Sequence, residues 1–482
     1  MAKKKLFLIF TCLSLCLIFS LNINSINAST SIGPFNINSN PFIVGFTDDI
    51  LLSTDDSIYP HHVEPTIAIG DDGTIYTGWK NAYGHNTGGV RVAFSRSENN
   101  GKTWTTPYYM PFFAGFETGQ SDPWMIFSDG NLYYAYLEYS LTSTPLSQIT
   151  VATTSNKGSS WNIVSGTYGN YFADKETMTV DNIGNIYIVY DDVELGDGEV
   201  YVKLTQSTDF GVSFIEQSII VNSNTTPVSH VGPYVTTDSQ NNVYVAWLWF
   251  SSENWGDVHL VKSENQGLTF STPIDINPLR ENGTATASID GYAAKVTLPV
   301  IRFDQNDRLY IMWSELGEED DSWGIFLRYS DDYGENWSNR FQINQDVIGD
   351  QWQPDFDIDS LGRLHIVYYD LKANYYRPYY RMAFFENYQT SVITITDAIP
   401  ITEFETFSSF TRPGDYFTVR VDSKNIPHIV WSDGRDSEMD IYYSHGIKEI
   451  KMGVIVGSSI AVFAFTSSVI IIIVIVVRKR LR

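Results

Sequence analysis

The chain has 482 residues, of which 43% are apolar and 15% aromatic, and it carries a formal net charge of −25. This apolar content is ample for a large hydrophobic core. The excess of acidic residues argues against nucleic acid and anionic lipid as partners, because like charges repel one another.

The N-terminal segment, residues 1–28, has the layout of a secretory signal peptide. Lys3 to Lys5 precede an apolar run from Leu6 to Leu21, and a polar stretch ends near Ala28. The two cysteines of the chain, Cys12 and Cys16, both lie in this segment. The mature chain is therefore predicted to contain no disulfide, no catalytic thiolate and no cysteine metal site.

Residues 29–59 follow as an N-terminal segment, and residues 60–446 then repeat one pattern seven times. Each repeat has a strand-like apolar run with an aromatic residue or histidine, called here the anchor, and a second aromatic ring three residues later. Because a step of three is odd in a strand, the two rings point to opposite faces, so each sheet should be covered on both sides. The anchors are Tyr76, Tyr133, Tyr187, Tyr244, Tyr310, His365 and His428.

A tight turn recurs in five of the seven units, at intervals of 57, 53, 56 and 67 residues. Each of these repeat turns has a hydroxyl residue, an Asp or Asn two positions later, a glycine, and then an aromatic residue. Glycine permits a left-handed backbone in such a turn. The five repeat turns are Ser97–Trp104, Thr154–Trp161, Ser207–Phe214, Ser263–Phe270 and Ser330–Trp337.

Four strands per unit can be traced around these features. In the first unit we predict strands at Pro65 to Ile69, Thr74 to Lys80 and Val90 to Arg96, with a fourth from Trp104. Proline is expected as the first residue of a strand, where no donor is needed. Repeated four-stranded units predict an all-β, seven-bladed propeller. The last unit lacks a fourth strand, and Pro41 to Ser53 is predicted to supply it and close the ring.

The C-terminal segment carries a predicted membrane anchor. After a juxtamembrane linker at residues 447–451, the uncharged 26-residue run Met452 to Val477 is long enough to span a bilayer as a helix. The basic residues at 478–482 should remain in the cytoplasm. The chain is therefore predicted to be a single-pass cell-surface protein with its N-terminal domain outside.

The repeat turns resemble the Asp-box, or bacterial neuraminidase repeat, of the sialidase-like propellers. The resemblance implies that the turns are folding motifs linking the third and fourth strands on the face away from the ligand site. Sialidases of that family have six blades and an Arg-Ile-Pro loop, and this sequence has seven units and no such tripeptide. The resemblance therefore implies the scaffold and not the catalytic residues.

Strand order predicts where a site could lie. The residue five positions after each anchor begins the loop between the second and third strands, and five of these seven residues are acidic. We call them the rim carboxylates; they are Glu138, Asp192, Glu315, Asp370 and Asp433. The same face should collect the residues before the first strands, namely Glu64, Asp122, Glu176, His230, Gln353 and Asp415.

Three functions remain open from the sequence. The first is binding of an extracellular glycan through Glu138, Asp192, Trp249, Arg377, Arg412 and Asp415. The second is a glycoside hydrolase in which Asp370, Asp433, Glu315 and Arg435 are the catalytic candidates, since glycosidases use paired carboxyl groups. The third is an adhesion or envelope module. No cofactor is predicted, although the acidic ring could take calcium.

Overall fold

The computed structural model describes the propeller region of the chain with gaps, and the predicted signal peptide and membrane segment lie outside the described residues. The described part contains no helix long and apolar enough to cross a membrane. The described ranges are 42–54, 59–84, 89–113, 115–116, 118–140, 146–167, 172–193, 200–215, 219–222, 230–252, 255–277, 284–285, 298–316, 322–344, 349–372, 375–385, 392–407, 413–435 and 438–449.

The described residues form seven antiparallel sheets, one for each predicted unit, which confirms the seven-bladed propeller. Blade 1 consists of β3 (His61–Ile69), β4 (Ile75–Ala82), β5 (Gly89–Ser97) and β6 (Tyr108–Tyr109). Blade 2 consists of β7 (Gly119–Ser128), β8 (Asn131–Tyr139), β9 (Ser147–Thr154) and β10 (Asn162–Ser165). Blade 3 consists of β11 (Phe172–Val180), β12 (Ile186–Val193), β13 (Val200–Ser207) and β14 (Ile219–Asn222). Blade 4 consists of β15 (His230–Thr237), β16 (Val243–Ser252), β17 (Trp255–Ser263) and β18 (Ile274–Asp275), with β19 (Thr284–Ala285) beside β17.

The remaining blades follow the same order. Blade 5 consists of β20 (Val300–Phe303), β21 (Leu309–Leu316), β22 (Trp323–Ser330) and β23 (Phe341–Gln342). Blade 6 consists of β24 (Asp350–Ile358), β25 (Leu364–Lys372), β26 (Tyr375–Phe385) and β27 (Ile393–Ile395), with β28 (Ile399–Pro400) and β29 (Thr406–Phe407) beside β26. Blade 7 consists of β30 (Thr418–Val421), β31 (Pro427–Asp433), β32 (Asp440–Lys448) and the N-terminal strands β1 (Ile43–Phe46) and β2 (Ile50–Leu51).

The N-terminal strand closes the ring, as predicted. Ile43 lies opposite Lys448 and Phe46 opposite Gly446, so β1 is the outer strand of blade 7. The innermost strands of neighbouring blades contact one another around the ring, including β3 of blade 1 with β30 of blade 7. A closed ring leaves no blade without a neighbour on either face.

The anchors occupy equivalent places near the start of the second strand of each blade, and their partner rings pack on the opposite face. Tyr76 packs with Phe94 and Tyr134 of blades 1 and 2, whereas Trp79 packs with Tyr443 of blade 7. These buried rings form the contacts between blades. Burial of apolar surface of this kind is the main favourable contribution to folding.

The side chains of five anchors also make a polar contact that the repeat pattern did not predict. An aspartate six residues earlier, in the turn between the first two strands, lies within hydrogen-bonding distance of the anchor's side chain. Tyr187 Oη donates to Asp181 Oδ2 over 3.1 Å, for example, and His365 Nε2 lies 3.2 Å from Asp359 Oδ2. The turn aspartates are Asp181, Asp238, Asp304, Asp359 and Asp422.

The repeat turns have the contacts expected of folding motifs. In the turn of blade 5, Asp332 Oδ1 accepts hydrogen bonds from Ser330 Oγ at 2.8 Å and from Asn336 N at 2.8 Å. The backbone nitrogen of Gly334 donates to Ser330 Oγ, and Trp337 Nε1 donates to the carbonyl of Gly334 at 3.1 Å. The polar atoms of the turn are thus satisfied within the turn itself.

The first strands of blades 1, 2, 3, 4 and 6 differ from the prediction, whereas β20 of blade 5 begins at Val300, directly after Pro299. Pro65 does not begin its strand: β3 starts at His61, and the register of β3 against β4 shifts between Val63 and Thr66. Equivalent shifts occur in the first strands of blades 2, 3, 4 and 6. A β-bulge interrupts the ladder, so a proline is tolerated there without loss of a donor. Each bulge changes the direction of one side chain of the innermost strand relative to the regular alternation of a strand.

Candidate functional site

Buried charged residues from four blades meet at the centre of the ring. Glu64 and Lys80 come from blade 1 and Asp122 from blade 2, whereas Asp174, Lys175 and Glu176 come from blade 3 and Asp415 precedes the first strand of blade 7. We call these seven residues the hub cluster. One oxygen each of Glu64, Asp122 and Asp415 lies within 4.8 Å of the others. The closed ring therefore brings together residues that are up to 351 positions apart in the chain.

The bulges place these side chains. Glu64, Asp122 and Lys175 have positive φ angles of 57°, 49° and 53°, and Gln353 has one of 54°. A left-handed backbone is unfavourable for residues with a side chain. In blades 1, 2 and 6 the left-handed residue directly precedes a proline. Strained conformations of this kind cluster at functional sites, so the hub cluster is a candidate functional site.

Two lysines neutralise part of the hub's negative charge. Lys175 Nζ donates a hydrogen bond to Asp415 Oδ2, and Lys80 Nζ lies 3.3 Å from Glu64 Oε1. Asp122 Oδ1 accepts a hydrogen bond of 3.3 Å from Tyr416 Oη. The ion pair of Lys175 with Asp415 joins blade 3 to blade 7, and breaking it is costly because the remaining partner would be left charged in a largely buried setting.

The hub separates carboxyl groups into neutral and ionised forms. Burial raises the pKa of Glu64 to about 8, with Lys80 opposing the rise. Burial also raises the pKa of Asp174 to about 6, and the negative charge of Asp122 adds to the rise. Burial raises the pKa of Glu176 well above its ordinary value, and neither of its carboxyl oxygens has a hydrogen-bond partner. Near pH 7, Glu64 and Glu176 therefore keep their protons. Asp174 is largely ionised at that pH and holds its proton only near pH 6 and below, beside Asp415, which is paired with Lys175.

Access to the hub is narrow. Glu64 is 1% exposed, whereas the side chains of Lys175 and Asp415 are 16% and 10% exposed. A cavity of about 40 Å³ adjoins them and is also lined by Gly232, Tyr234 and Gln353. That volume holds one or two water molecules and not a sugar ring. A larger ligand would therefore bind at the mouth of this cavity, where Lys175 and Asp415 are partly exposed.

Glu64, Asp122 and Asp415 also have the spacing that could hold a metal ion. Calcium prefers six to eight oxygen ligands. Here two of the three carboxylates already lie beside a lysine ammonium group, at Lys80 and Lys175. A divalent ion would have to compete with both lysines, so the residues present fit an acid–base cluster better than a calcium site.

The rim carboxylates lie at the ends of the second strands, and each is held by its own blade or the adjoining loop. Glu315 accepts from Trp313 Nε1 at 2.8 Å and pairs with Arg340. Asp433 accepts from Trp431 Nε1 at 3.2 Å and from Arg435 at 2.6 Å.

The other three rim carboxylates have equally local partners. Asp370 accepts from Gln351 at 2.8 Å, and Asp192 from Lys203 at 2.6 Å. Glu138 accepts from Thr150 at 2.6 Å and from Gln120 at 3.0 Å. All five are at most 5% exposed. Among the described residues, each rim carboxylate has partners of its own, and the catalytic or binding roles predicted for these residues stay predictions.

The remaining predicted residues are dispersed. Arg435 bridges Asp433 and Asp49 and lies between the rings of Phe404 and Tyr442, at 4.0 and 3.9 Å. Arg377 Nε donates to Tyr379 Oη at 2.9 Å. Trp249 stacks on His259 with ring centres 5.0 Å apart. Arg412 lies outside the described residues. Asp415 is thus the one candidate of the predicted set that the structure places in the hub.

The sequence analysis missed Asp174, Lys175 and Lys80. In blade 3, which has no proline at this place, the residue predicted before the first strand was Glu176, one position after Lys175. Counting back twelve residues from the anchor Tyr187 reaches Lys175, just as the same count from Tyr76 reaches Glu64. Counting from the anchors would therefore have found this part of the hub.

Comparisons with known proteins agree on the fold. No family model and no curated protein matches the chain. Among solved structures, the chain is similar to a polysaccharide lyase of family PL25, an ulvan lyase, with a TM-score of 0.52 and 9% identity over 82% of this chain and 97% of that one. It also matches the GH93 α-L-arabinofuranosidase of Fusarium graminearum (TM-score 0.48, 11% identity, 84% and 98% covered).

A third match is the Trypanosoma rangeli sialidase, with a TM-score of 0.43 and 14% identity over 64% of this chain and 53% of that one. At such identities the likeness is one of fold and does not carry activity. The chain is therefore a β-propeller whose fold is similar to that of known carbohydrate-active propellers.

Proposed function

We propose that this protein is a glycoside hydrolase whose acid–base centre is the hub cluster. The observation that carries the proposal is that acidic side chains from several blades meet at the centre of the ring, where one of them, Asp415, is paired with Lys175. Asp174, with a pKa of about 6, lies near Asp415, which Lys175 holds as a carboxylate. Glycosidases need one carboxyl group that gives a proton and a second that acts as base or nucleophile.

Each group has a defined task in this proposal. Asp174 is the proton donor to the leaving-group oxygen, since a pKa near the working pH favours general acid catalysis. Asp415 is the base or nucleophile, and the water-sized cavity beside it is lined in part by Lys175 and Tyr234. Glu64 and Asp122 each have an oxygen close to Asp415 and contribute to the electrostatic environment of the pair. The fold similarity to carbohydrate-active propellers supports carbohydrate as the substrate class.

The experiment compares hub and rim variants on a panel of aryl-glycosides and oligosaccharides. Asp174→Asn and Asp415→Asn should each lower kcat by about 100-fold or more, the usual contribution of a positioned acid or base. Asp370→Asn and Asp433→Asn test the rim set predicted from the sequence, and the exposed Glu98→Gln is the matched control for a carboxylate-to-amide change. Thermal melting of each variant excludes unfolding as the cause.

Three results would overturn the proposal. One is no hydrolysis by the full-length chain anywhere on the panel, which would leave glycan binding or adhesion as its function. Another is release of products with an unsaturated sugar, which would indicate a lyase. The last is normal activity in Asp174→Asn with loss in Asp370→Asn, which would move the catalytic pair to the rim.

We further propose that the propeller is displayed on the outside of the cell by a C-terminal helix. The support is the pattern of the sequence: a signal-like segment at residues 1–28 and an apolar run at 452–477 followed by basic residues. Protease treatment of intact cells should remove the propeller and leave a C-terminal tag protected. A propeller protected until lysis would contradict this location.

A further inference from the structure

A second cavity lies between blades 4 and 5, on the face that carries the repeat turns. It measures about 640 Å³, within the range of small-molecule sites. One wall consists of Tyr244, Lys262 and the repeat turn of blade 4 with Glu264, and the other consists of Tyr333 and Glu335 in the repeat turn of blade 5. None of these residues belongs to the hub cluster or to the rim carboxylates.

The junction between blades 4 and 5 lacks a side chain that fills the corresponding junction between blades 1 and 2. In that junction Tyr108, four residues after Trp104, donates to the carbonyl of Gly158 at 2.7 Å and accepts from Trp161 Nε1 at 2.9 Å. Four residues after Phe270, blade 4 has Ile274, which is 40% exposed. The junction between blades 4 and 5 therefore lacks the bridging tyrosine.

The glycines of the repeat turns show the same difference in packing. A Cβ atom built on Gly158 would lie 2.7 Å from the ring of Phe94, so that turn sits tightly against the preceding blade. A Cβ atom built on Gly334 would meet nothing closer than Leu260 at 3.7 Å. The turn of blade 5 thus packs less tightly against blade 4 than the turn of blade 2 packs against blade 1, and the cavity opens beside it.

Tyr333 provides a fixed aromatic wall. Its hydroxyl accepts from Gln240 Nε2 at 3.3 Å and lies 3.4 Å from Asp307 Oδ2, so the turns of two blades hold the ring. Lys262 Nζ lies 5.6 Å from this ring and 5.7 Å from that of Tyr244, and it bonds Glu264 at 2.8 Å. A ligand would therefore meet a rigid ring beside several hydrogen-bonding groups.

We infer that this junction cavity binds neutral sugar residues of a polysaccharide. A rigid tyrosine ring next to carboxylate, ammonium and hydroxyl groups suits a ligand with apolar ring faces and many hydroxyls. Two carboxylates, Glu264 and Glu335, face one ammonium group in the cavity. The excess of negative charge in the cavity, on a chain of net charge −25, disfavours binding of an anionic sugar. The inference goes beyond the hub, because the cavity can bind a polymer whether or not the hub cleaves it.

The test is affinity electrophoresis of the full-length chain through gels containing arabinan, β-glucan or mannan, with polygalacturonate as the anionic probe. Tyr333→Ala removes the aromatic wall, and Ile274→Tyr introduces the residue that fills the junction of blades 1 and 2. Both should weaken binding to a neutral polymer at least 5-fold. Phe210→Ala is the matched control, because Phe210 has the equivalent place in the repeat turn of blade 3 and does not line this cavity. It should bind as the unaltered chain does.

Unchanged retardation of Ile274→Tyr, equal loss in Phe210→Ala, or retardation by polygalacturonate alone would overturn the inference. Ile274→Tyr decides the question if Tyr333→Ala fails to fold, since it adds a side chain at an exposed position. Asp174→Asn, assayed in the same gels, should bind normally. If the unaltered chain binds a neutral polymer but hydrolyses no glycoside, the result contradicts the proposal for the hub alone. If it hydrolyses glycosides but binds no neutral polymer, the result contradicts the inference for the junction cavity alone.

Discussion

The propeller has two sets of buried acidic residues, and they differ in how many blades supply their partners. The rim carboxylates are each held locally, as Glu315 is by the tryptophan two residues before it. The hub cluster draws its members from blades 1, 2, 3 and 7, and its groups share two lysines. Burial raises the pKa of Glu138 at the rim as it does that of Glu64 in the hub, so the two sets differ in the residues that surround each acid. Burial alone therefore does not identify a functional acid. The charged and hydrogen-bonding residues around the acid also determine its pKa and its reactivity.

The largest difference should appear when one lysine of each set is removed. Lys175→Met leaves Asp415 without its buried cation and should lower the free energy of unfolding by about 3–5 kcal/mol. Lys372→Met removes the cation beside the rim residue Asp370, but Lys372 is 47% exposed, so its loss should cost no more than about 1 kcal/mol. Urea unfolding of both variants measures the difference, and equal losses would show that the hub is not a special electrostatic centre.

Stability should also fall as the pH rises, and the hub should cause the fall. The folded protein keeps Glu64 protonated up to a pKa of about 8, whereas the unfolded chain releases that proton near the ordinary glutamate value of 4.5. The stabilisation is complete below the unfolded pKa and is lost as the pH rises through the folded one. Between pH 5 and pH 8 the loss should be on the order of 2–4 kcal/mol.

Glu64→Gln should flatten this dependence in urea unfolding experiments at several pH values. Asp174, with a folded pKa of about 6, contributes in the same direction over a narrower interval. Asp370→Asn at the rim should leave the slope unchanged. A slope that survives Glu64→Gln would place the titrating group outside this part of the hub.

The smallest expected effect concerns a single rim hydrogen bond. Trp313→Phe removes the donor to the buried carboxylate of Glu315 while it keeps much of the ring. The free energy of unfolding should drop by about 1–3 kcal/mol, the cost of leaving a buried acceptor unsatisfied. Catalysis should be unaffected if the rim is structural. A drop in kcat without a drop in stability would instead give Glu315 the catalytic role predicted from the sequence.

Periodic features of the sequence were sufficient for the architecture. The anchors Tyr76 and His428 mark equivalent strands in the first and last blades, and Pro41 to Ser53 contains the strand that closes the ring. The bulges were not foreseen, because Pro65 was taken as the start of a strand. The members of the hub cluster were predicted only in part: Asp415 was a candidate, and Glu64, Asp122 and Glu176 were expected on the same face without a role, but Asp174 and Lys175 were not recognised.

By itself, the sequence determined the number of blades, the strand order and the face of each loop, because these depend on local spacing that repeats along the chain. Only the tertiary structure decided which acids lie close to one another and which are bonded to residues of their own blade. That outcome depends on closure of the ring, which brings Glu64 and Asp415 together across nearly the whole propeller. Distances of this kind have no signature in local sequence.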